Sequence, residues 1–242
     1  MTINNKKERI AKKLSRHGVA SRRVAEDMIW QGRITVNGKR LTTPACLVTD
    51  EDNIMVDDIP LPKKKNLQFF LLHKPRGMIT SMKDDRGRAC IADILPADKK
   101  NLKSIGRLDY NSEGLLLLTN DGEVKRLWEH PQSKIVRGYR VRVFQTPNAK
   151  DIANLSNGIT IDGFDYRGIK AKIETSNKNH AWIYMELTEG KNREIRYIMD
   201  YLGYPVTRLI RVRYGNFRLG TMPCGLLRPA SDDELQKAKT LI

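Results

Sequence analysis

The segment GRLDYNSEGLLLLTNDGE, from Gly106 to Glu123, carries the strongest structural signal in the chain. Gly106 and the polar stretch Asp109 to Ser112 have the composition of a loop, the leucine run after them that of a buried strand, and Asn120-Asp121-Gly122 that of a turn. The segment therefore predicts a loop, a buried strand and a return turn, with Asp109 beside the rigid strand. These residues alone leave two interpretations of Asp109 open, an ordinary turn-forming aspartate or a functional carboxylate.

The chain from Gln68 onward mixes short apolar runs with single helices in no regular order. The strand-like runs are QFFLLHKP (68–75), YRVRVF (139–144), WIYMELTEG (182–190) and TRLIRVRYG (207–215), and the clearest helix is NREIRYIMDYLG (192–203). Such a mixture, without regular strand–helix alternation, is typical of α+β domains. We therefore predict an α+β fold with a mixed, largely antiparallel sheet over 68–242.

The residues before this domain predict a small helical module over 1–57. Two helical patterns, ERIAKKLSR (8–16) and SRRVAEDMIWQ (21–31), are followed by ITVNGKRL (34–41), whose Asn37-Gly38 is a strong hairpin signal. Ser21 is placed to cap the second helix. The residues of that helix expected to face inward are Val24, Met28 and Ile29. The stretch DDIPLPKKKNLQ (57–68), with two prolines and three lysines, predicts an interdomain linker over 58–67.

The composition indicates a polyanionic partner. Among 242 residues, 44 Lys and Arg outnumber 28 Asp and Glu, which gives a formal charge of +16 and a pI near 9.8. This excess favours nucleic acid, and the alternative is a soluble basic protein without such a partner. The 40% of apolar residues are enough to bury a real core.

Cysteine, histidine and apolar patterns narrow the cofactors and the compartment. The three cysteines are odd in number and widely separated, which argues for a reducing compartment rather than a disulfide framework. None of the four histidines lies at metal-ligand spacing from a cysteine, so no metal is predicted. The N-terminus is polar, and no apolar run is long enough to span a bilayer. We expect a cytoplasmic protein without a cofactor or a membrane partner.

The N-terminal pattern resembles a known RNA-binding module. G-x-A-S-R-R-x-A-E (18–26) followed by G-x-I-x-V-N-G (32–38) is similar to the alpha-L module shared by a small-subunit ribosomal protein and several RNA-modifying enzymes. The bland alternative is a generic basic helical hairpin. Arginines at a helix N-terminus, where backbone N–H groups also favour phosphate, suit a reader of the RNA backbone. The basic residues that crowd around the predicted helix junction, and that we expect to bind RNA, are Lys12, Lys13, Arg16, Arg22 and Arg23.

Four motifs in the larger domain carry a second resemblance. Together with GRLDYNSEGLLLLTNDG, the stretches HKPRGMITS (73–81), RGYRVRV (137–143) and LTEGKNREIR (187–196) resemble the RNA pseudouridine synthases of the RsuA/RluB/RluE/RluF group. The RluB-like branch is the nearest in pattern, which implies isomerisation of a uridine in large-subunit ribosomal RNA. A small-subunit target is the alternative within the class. A ribosome-assembly factor that binds RNA without catalysis is the alternative outside it.

The resemblance makes Asp109 the catalytic carboxylate and Arg196 its neighbouring cation. Breaking the glycosidic bond leaves the sugar electron-poor at C1′, where an ionised carboxylate can stabilise it, attack it or remove a nearby proton. A buried carboxylate keeps its charge only with a cation close by. On the predicted helix, Arg193 and Arg196 share the side opposite the core face. The ordinary alternative for Arg196 is an exposed pair with Asp200.

The same resemblance gives roles to four further residues. It makes Tyr139 the residue that stacks on the flipped uracil, where simple core packing is the alternative. Arg107 would hold phosphate or fill the gap left by the nucleotide, Arg193 would bind substrate, and Leu209 would form an apolar wall. A target uridine must leave its stack to be reached. The expected partner is ribosomal RNA or a ribosome-assembly intermediate, bound by a monomer.

The lack of metal-ligand spacing and of a nucleotide-binding glycine loop gives the first prediction. Pseudouridine formation should persist in excess chelator with no added cofactor. The measurement is tritium release from C5-labelled uridine in RNA, with a structural probe to show that the RNA stays folded. Loss of release that a divalent ion restores, on folded RNA, would contradict this expectation.

Overall fold

The computed structural model describes residues 7–84 and 86–240, which form two compact units. The first unit ends at Leu67 and the second begins at Gln68, apart from Asn120–Gly122, which group with the first. Both units combine helices with mostly antiparallel strands. The predicted α+β class is therefore confirmed, while the limits of the two domains and of the linker stay a prediction.

The first unit packs two short helices against small strands. Its elements are β1 (Glu8–Arg9), α1 (Ile10–Arg16), α2 (Arg22–Trp30), β2 (Ile34–Val36), β3 (Lys39–Arg40), β4 (Leu47–Val48), β5 (Ile54–Val56) and β6 (Ile59–Pro60). β1 pairs with β4, and the remaining strands follow the antiparallel order β3-β2-β5-β6. Fully buried apolar side chains from both helices and β2 form the core, namely Ile10, Leu14, Ala25, Ile29 and Ile34.

The cap and the hairpin turn of this unit form where the sequence predicts them. Ser21 Oγ accepts a hydrogen bond from the Val24 amide at 3.3 Å and caps α2. Asn37 and Gly38 adopt φ values of 51° and 77° and join β2 to β3. Two successive left-handed residues are what the tight hairpin turn requires, and Asn-Gly tolerates them best.

Two features of the first unit differ from expectation. Val24 is 50% exposed rather than inward-facing, and Ala25 takes its place on the buried face of α2 beside Met28 and Ile29. Ala25 is three positions before Met28 and four before Ile29, so it shares a helix face with both, whereas Val24 is five positions before Ile29 and turns away from it. Strand β6, Ile59–Pro60, lies in the stretch whose composition predicts a linker, and it pairs with β5.

Within the described residues, the second unit is built on one nine-stranded sheet. Its elements are β7 (Phe69–Lys74), α3 (Ile91–Ile94), β8 (Lys103–Ile105), β9 (Glu113–Thr119), α4 (Gly122–Glu129), β10 (Arg137–Phe144), α5 (Ala149–Asn154), β11 (Ile159–Ile161), β12 (Phe164–Tyr166), β13 (Lys170–Asn177), β14 (His180–Leu187), α6 (Glu194–Tyr201), β15 (Val206–Tyr214), β16 (Phe217–Arg218), β17 (Leu227–Pro229) and α7 (Asp232–Lys239). The strand order is β13-β14-β10-β15-β9-β7-β17, with β8 beside β9 and β16 beside β15. β11 and β12 form a separate hairpin.

The sheet consists of two antiparallel halves joined by one parallel pairing, between β9 and β15. The register there matches Glu113 with Ile210 and Gly114 with Arg211. Gly114 has a φ of +108°, and a Cβ at this position would lie 2.3 Å from the Arg211 carbonyl oxygen. Only glycine lets the two backbones approach so closely. The halves therefore meet at a contact that a side chain would prevent.

Apolar packing covers the two halves separately. One half packs against α5 and α6 through a cluster that includes Val141, Ile183 and Met199. The other half packs against α3 through a cluster that includes Phe70 and Leu116. The Tyr139 side chain contacts both clusters, so it marks the place where the two cores meet.

The return turn predicted at Asn120-Asp121-Gly122 opens a helix instead of a hairpin. α4 begins at Gly122, and Val124 and Trp128 face inward. Their four-residue spacing is a helical period, which the turn signal of the preceding residues hides. Trp128 is fully buried against three aromatic rings, those of Phe69, Tyr214 and Phe217.

The close approach at Gly114 predicts a large effect of a single methyl group. Gly114→Ala should destabilise the protein by on the order of 3 kcal/mol or more, because the two strands must separate to admit the Cβ. Gly163→Ala is the control: its φ is +78° and no atom lies within 4 Å of its Cβ position. It should cost only the left-handed backbone penalty of about 1 kcal/mol. Urea unfolding measures both, and equal losses would contradict the steric explanation.

Candidate active site

A cleft of about 1000 Å³ opens in the second unit beside the junction of the two sheet halves. Its walls are the loop 106–112, residues of β10 and β15, and the segment 187–195. Of the residues that the sequence predicts for this site, all but Arg196 line the cleft, namely Arg107, Asp109, Tyr139, Arg193 and Leu209. Residues more than ninety positions apart are thus brought together, as the resemblance predicts.

A buried ammonium group fixes the loop that carries Asp109. Lys74 ends β7, is fully buried, and donates from Nζ to the carbonyl oxygens of Ser112 at 2.9 Å, Pro75 at 2.9 Å and Asp109 at 3.2 Å. An ammonium has three donors, so the three carbonyls satisfy it. Burial lowers the pKa of Lys74 to about 8, against the opposing attraction of the Asp109 carboxylate.

Further hydrogen bonds hold the loop backbone on both sides of Asp109. Thr80 Oγ1 accepts from the Leu108 amide at 3.0 Å and donates to the Leu108 carbonyl at 2.8 Å. The Gly77 amide donates to the Tyr110 carbonyl at 2.8 Å. Asp109 therefore lines the cleft from a fixed backbone.

Arg196 supports the same loop from α6. Its guanidinium donates to the carbonyl oxygens of Asn111 at 2.9 Å and Val206 at 3.1 Å. Within the part of the chain that the structure describes, it does not line the cleft and forms no ion pair with Asp109. Burial and the charge of Arg193 lower the pKa of Arg196, and the Asp109 carboxylate opposes this shift. Arg196 therefore acts on Asp109 through the electrostatic field of its guanidinium and through its hydrogen bond to the loop backbone at Asn111.

Arg193 and Arg196 do not share a helical turn, although the pattern predicts that they do. α6 begins at Glu194, and Arg193 precedes it with a left-handed φ of +53°. A positive φ is uncommon outside glycine. Here it interrupts the helical backbone geometry just before α6, so Arg193 is exposed at the cleft and is not part of the helix.

Tyr139 and Leu209 provide the less polar wall of the cleft. Tyr139 is half-buried on β10 and stands opposite Arg211 on β15, and Leu209, also on β15, is 6% exposed. A half-buried aromatic ring beside an aliphatic side chain suits a flat base that enters from solvent.

Two glutamates in the segment 187–195, Glu189 and Glu194, interact at the edge of the cleft. Glu194 is 4% exposed, and burial together with a hydrogen bond to Glu189 raises its pKa. Glu194 Oε2 accepts from the Lys191 amide at 3.0 Å, and Glu189 accepts from the Arg167 amide at 2.8 Å. The pair closes this segment on itself and fixes the residues just before α6.

Two of the predicted RNA-binding residues pair with Asp50 inside the first unit. Lys13 is 3% exposed and lies 2.9 Å from Asp50, and Arg16 pairs with Glu8 at 2.5 Å and with Asp50 at 3.3 Å. These contacts tie α1 to the β4 region. These ion pairs stabilise the module, and they partly neutralise the charges of Lys13 and Arg16.

The other three predicted RNA-binding residues lie at the surface of the helices. Lys12 lies 3.7 Å from Glu8 on α1. Arg22 and Arg23 are exposed in the first turn of α2, directly after the Ser21 cap. The start of α2 therefore presents two cations together with helix-terminal amides.

The sequence analysis missed three buried cations at the cleft, Lys74, Arg137 and Arg211. A signal for two of them was present, because strand residues two apart share a face. The alternation that turns Tyr139 toward the cleft does the same for Arg137, and Leu209 and Arg211 are related in the same way. Burial of Lys74 leaves no such signal, since the carbonyls that hold it come from a distant loop.

The fold and the site define an RNA-modifying enzyme with an appended RNA-binding domain. Residues 68–201 match the RNA pseudouridylate synthase family, and residues 8–54 match the S4 domain. The chain is 39% identical over 229 residues to an uncharacterized RNA pseudouridine synthase of Rickettsia typhi, covering 95% of this chain and 94% of that one. It is 35% identical over 236 residues to ribosomal large subunit pseudouridine synthase B of Bacillus subtilis, covering 97% and 96%.

A solved structure agrees with these relatives. The crystal structure of a pseudouridylate synthase matches with a TM-score of 0.67 and 25% identity, covering 95% of this chain and 99% of that chain. The chain therefore belongs to the RNA pseudouridine synthase family, whose members are isomerases. The predicted resemblance is confirmed for both domains.

Within residues 7–84 and 86–240, no helix combines the length and the apolar character of a membrane span. The same residues contain no group of three His, Cys, Asp or Glu side chains arranged to hold a metal ion.

Removing the Lys74 ammonium should impair catalysis more than RNA binding. Lys74→Met leaves three carbonyls without a partner, and we expect a stability loss of about 1–3 kcal/mol and a fall in kcat of roughly tenfold or more. Single-turnover rates at saturating RNA and urea unfolding measure the two effects.

The pH dependence tests whether the charge of Lys74 is responsible. Wild-type kcat should decline as the pH rises through about 8, where Lys74 loses its proton. The pKa of Lys74 is lower in the folded state than its ordinary 10.5, so this deprotonation favours folding and the decline is not unfolding. An unchanged decline in Lys74→Met would assign it to another group.

Proposed function

We propose that this enzyme isomerises a specific uridine to pseudouridine in large-subunit ribosomal RNA, with Asp109 as its catalytic carboxylate. The observation that supports this most directly is the loop that presents Asp109 to the cleft. Lys74, Thr80 and Arg196 bind its backbone and leave the carboxylate toward the substrate. Such a fixed carboxylate is what a reaction at a sugar carbon requires.

The chemistry needs an anion at the sugar. The bond between uracil N1 and ribose C1′ breaks, the base turns, C5 bonds to C1′, and the proton lost from C5 is balanced by the one gained at N1. While the base is detached, C1′ is electron-poor, as in glycoside hydrolysis. An ionised Asp109 stabilises this carbon, attacks it or removes a neighbouring sugar proton. Each route needs the carboxylate charged, and the positive charges of Lys74 and Arg196 act on it.

The remaining residues of the cleft have roles in holding the flipped nucleotide. Tyr139 stacks on the uracil once it has left the RNA stack, and Leu209 packs against its edge. Arg107 and Arg193, which are both exposed at the cleft, contact the phosphates or fill the space that the nucleotide vacates. These contacts select an extruded uridine over a stacked one.

Relatives and charge support a ribosomal RNA substrate. The relative from Bacillus subtilis is named for the large ribosomal subunit, and the match extends over nearly all of both chains. The S4 domain and the net charge of +16 fit a structured polyanion. We assign Arg22 and Arg23 at the start of α2 to the RNA backbone, together with Lys12 on α1. We place the enzyme in the cytoplasm as a monomer that uses neither metal nor cofactor.

A non-catalytic assembly factor with this fold is the competing proposal. A pure RNA binder would be weakened by Asp109, because a carboxylate in the cleft repels phosphate. In a binder this residue would be better replaced by a neutral one, and the hydrogen bonds that fix its loop would have no function.

Asp109→Asn separates the two proposals. The amide keeps nearly the same shape but removes the charge, so the variant should fold, bind RNA at least as tightly and form no detectable pseudouridine. The assays are tritium release from C5-labelled uridine in ribosomal RNA from a strain lacking this enzyme, and a binding titration of the same RNA. Near-normal release by Asp109→Asn would falsify the catalytic assignment. Release from small-subunit RNA alone would redirect the substrate assignment.

A further inference from the structure

The cleft contains two buried arginines that the reaction described above does not use. Arg137 is 8% exposed and Arg211 is 2% exposed, and both line the cleft. Among residues 7–84 and 86–240, neither has a carboxylate within ion-pair distance. Burying a guanidinium without a counter-charge is strongly unfavourable, so the counter-charge is expected to come from a ligand.

The hydrogen bonds of these arginines leave donors unused. Arg137 donates to the Tyr214 hydroxyl at 3.1 Å and to the Thr188 carbonyl at 3.4 Å. Arg211 donates from Nε to the Leu115 carbonyl at 2.7 Å, and its buried Nη2 has no hydrogen-bond partner among the residues that the structure describes. Buried polar groups in folded proteins are nearly always hydrogen-bonded. The Nη2 of Arg211 is therefore a donor available to a ligand.

One aromatic ring holds both guanidinium groups in place. Arg137 lies over the Tyr214 ring at 4.9 Å and Arg211 at 5.0 Å, and Tyr214 is fully buried. In the sheet, Arg137 is two residues before Tyr139 on β10, and Arg211 stands directly opposite Tyr139 on β15. The two cations are therefore fixed next to the residue that we assign to the uracil.

Glu129, which also lines the cleft, has hydrogen-bond partners other than these arginines. It accepts a hydrogen bond from the Gly106 amide at 2.7 Å and another from Lys125, four residues before it on α4.

We propose that Arg137 and Arg211 form an anion subsite that binds a phosphodiester of the substrate RNA next to the flipped uridine. This rests on the proposed function. Paired guanidinium forks match the oxygens of a phosphate better than any other cation in proteins. The cleft volume of about 1000 Å³ lies at the top of the range of roughly 300–1000 Å³ for small-ligand pockets, so a phosphate fits beside the nucleoside.

The test compares uridine with uridine 5′-monophosphate and uridine 3′-monophosphate, titrated into the full-length protein by NMR. At least one monophosphate should bind roughly tenfold more tightly than uridine to the wild-type protein. In Arg137→Met this advantage should fall below about twofold, with the affinity for uridine retained. Arg137 is chosen because Arg211 also binds the Leu115 carbonyl across the sheet junction.

Arg140→Met is the matched control. Arg140 lies on the same strand, is exposed, and pairs with Glu174 at 2.7 Å. This control should keep the full phosphate advantage. An equal advantage in wild-type protein and Arg137→Met would overturn the proposal. So would equal affinity of the wild-type protein for uridine and both monophosphates, a result that requires no variant to fold.

Catalysis and phosphate binding can fail separately. Asp109→Asn should retain the phosphate advantage while it loses tritium release. Loss of the advantage in Arg137→Met is expected even if Asp109 proves not to be the catalytic carboxylate. An Asp109→Asn protein that keeps its activity, together with a phosphate advantage that depends on Arg137, would reject the proposed function and support the subsite.

Discussion

Three backbone carbonyls converge on the buried ammonium of Lys74, and the position of Asp109 follows from this contact. A buried cation paired directly with Asp109 would hold the carboxylate but would also occupy it. By binding carbonyls instead, Lys74 supplies positive charge near the loop and fixes its shape, without a direct hydrogen bond to the carboxylate of Asp109. The lowered pKa of Lys74 reflects the energetic cost of burying its ammonium group.

Arg196 and Arg211 also bind backbone carbonyls with their side chains, from other parts of the chain. Arg196 binds the carbonyl of Asn111, and Arg211 binds the carbonyl of Leu115. Each cation comes from a different element of the second unit, so the geometry of the loop depends on the whole sheet. Gly114 lies in the sequence between Asn111 and Leu115, at the point where β9 meets β15. The geometry of the site therefore depends on this one residue without a side chain.

The sequence predicted best what local physics decides. The Asn37-Gly38 hairpin and the Ser21 cap involve only neighbouring residues, and both formed as expected. The gathering of Asp109, Tyr139 and Leu209 came from the family resemblance, since no local pattern relates a loop to two distant strands. The hairpin expected after Thr119 failed because the turn signal concealed the helical spacing of the next seven residues. The role of Lys74 was beyond reach, because its partners are backbone groups that any sequence supplies.

The parallel pairing of β9 and β15 also sets the order of events during synthesis. Arg211 and the Leu115 carbonyl that it binds are 96 residues apart, so the loop of Asp109 emerges from the ribosome long before β15 can complete the sheet. Until then the cleft lacks the wall that carries Leu209 and Arg211, as well as the support of Arg196. The cleft of a nascent chain therefore stays incomplete until translation of the last third of the chain is nearly finished.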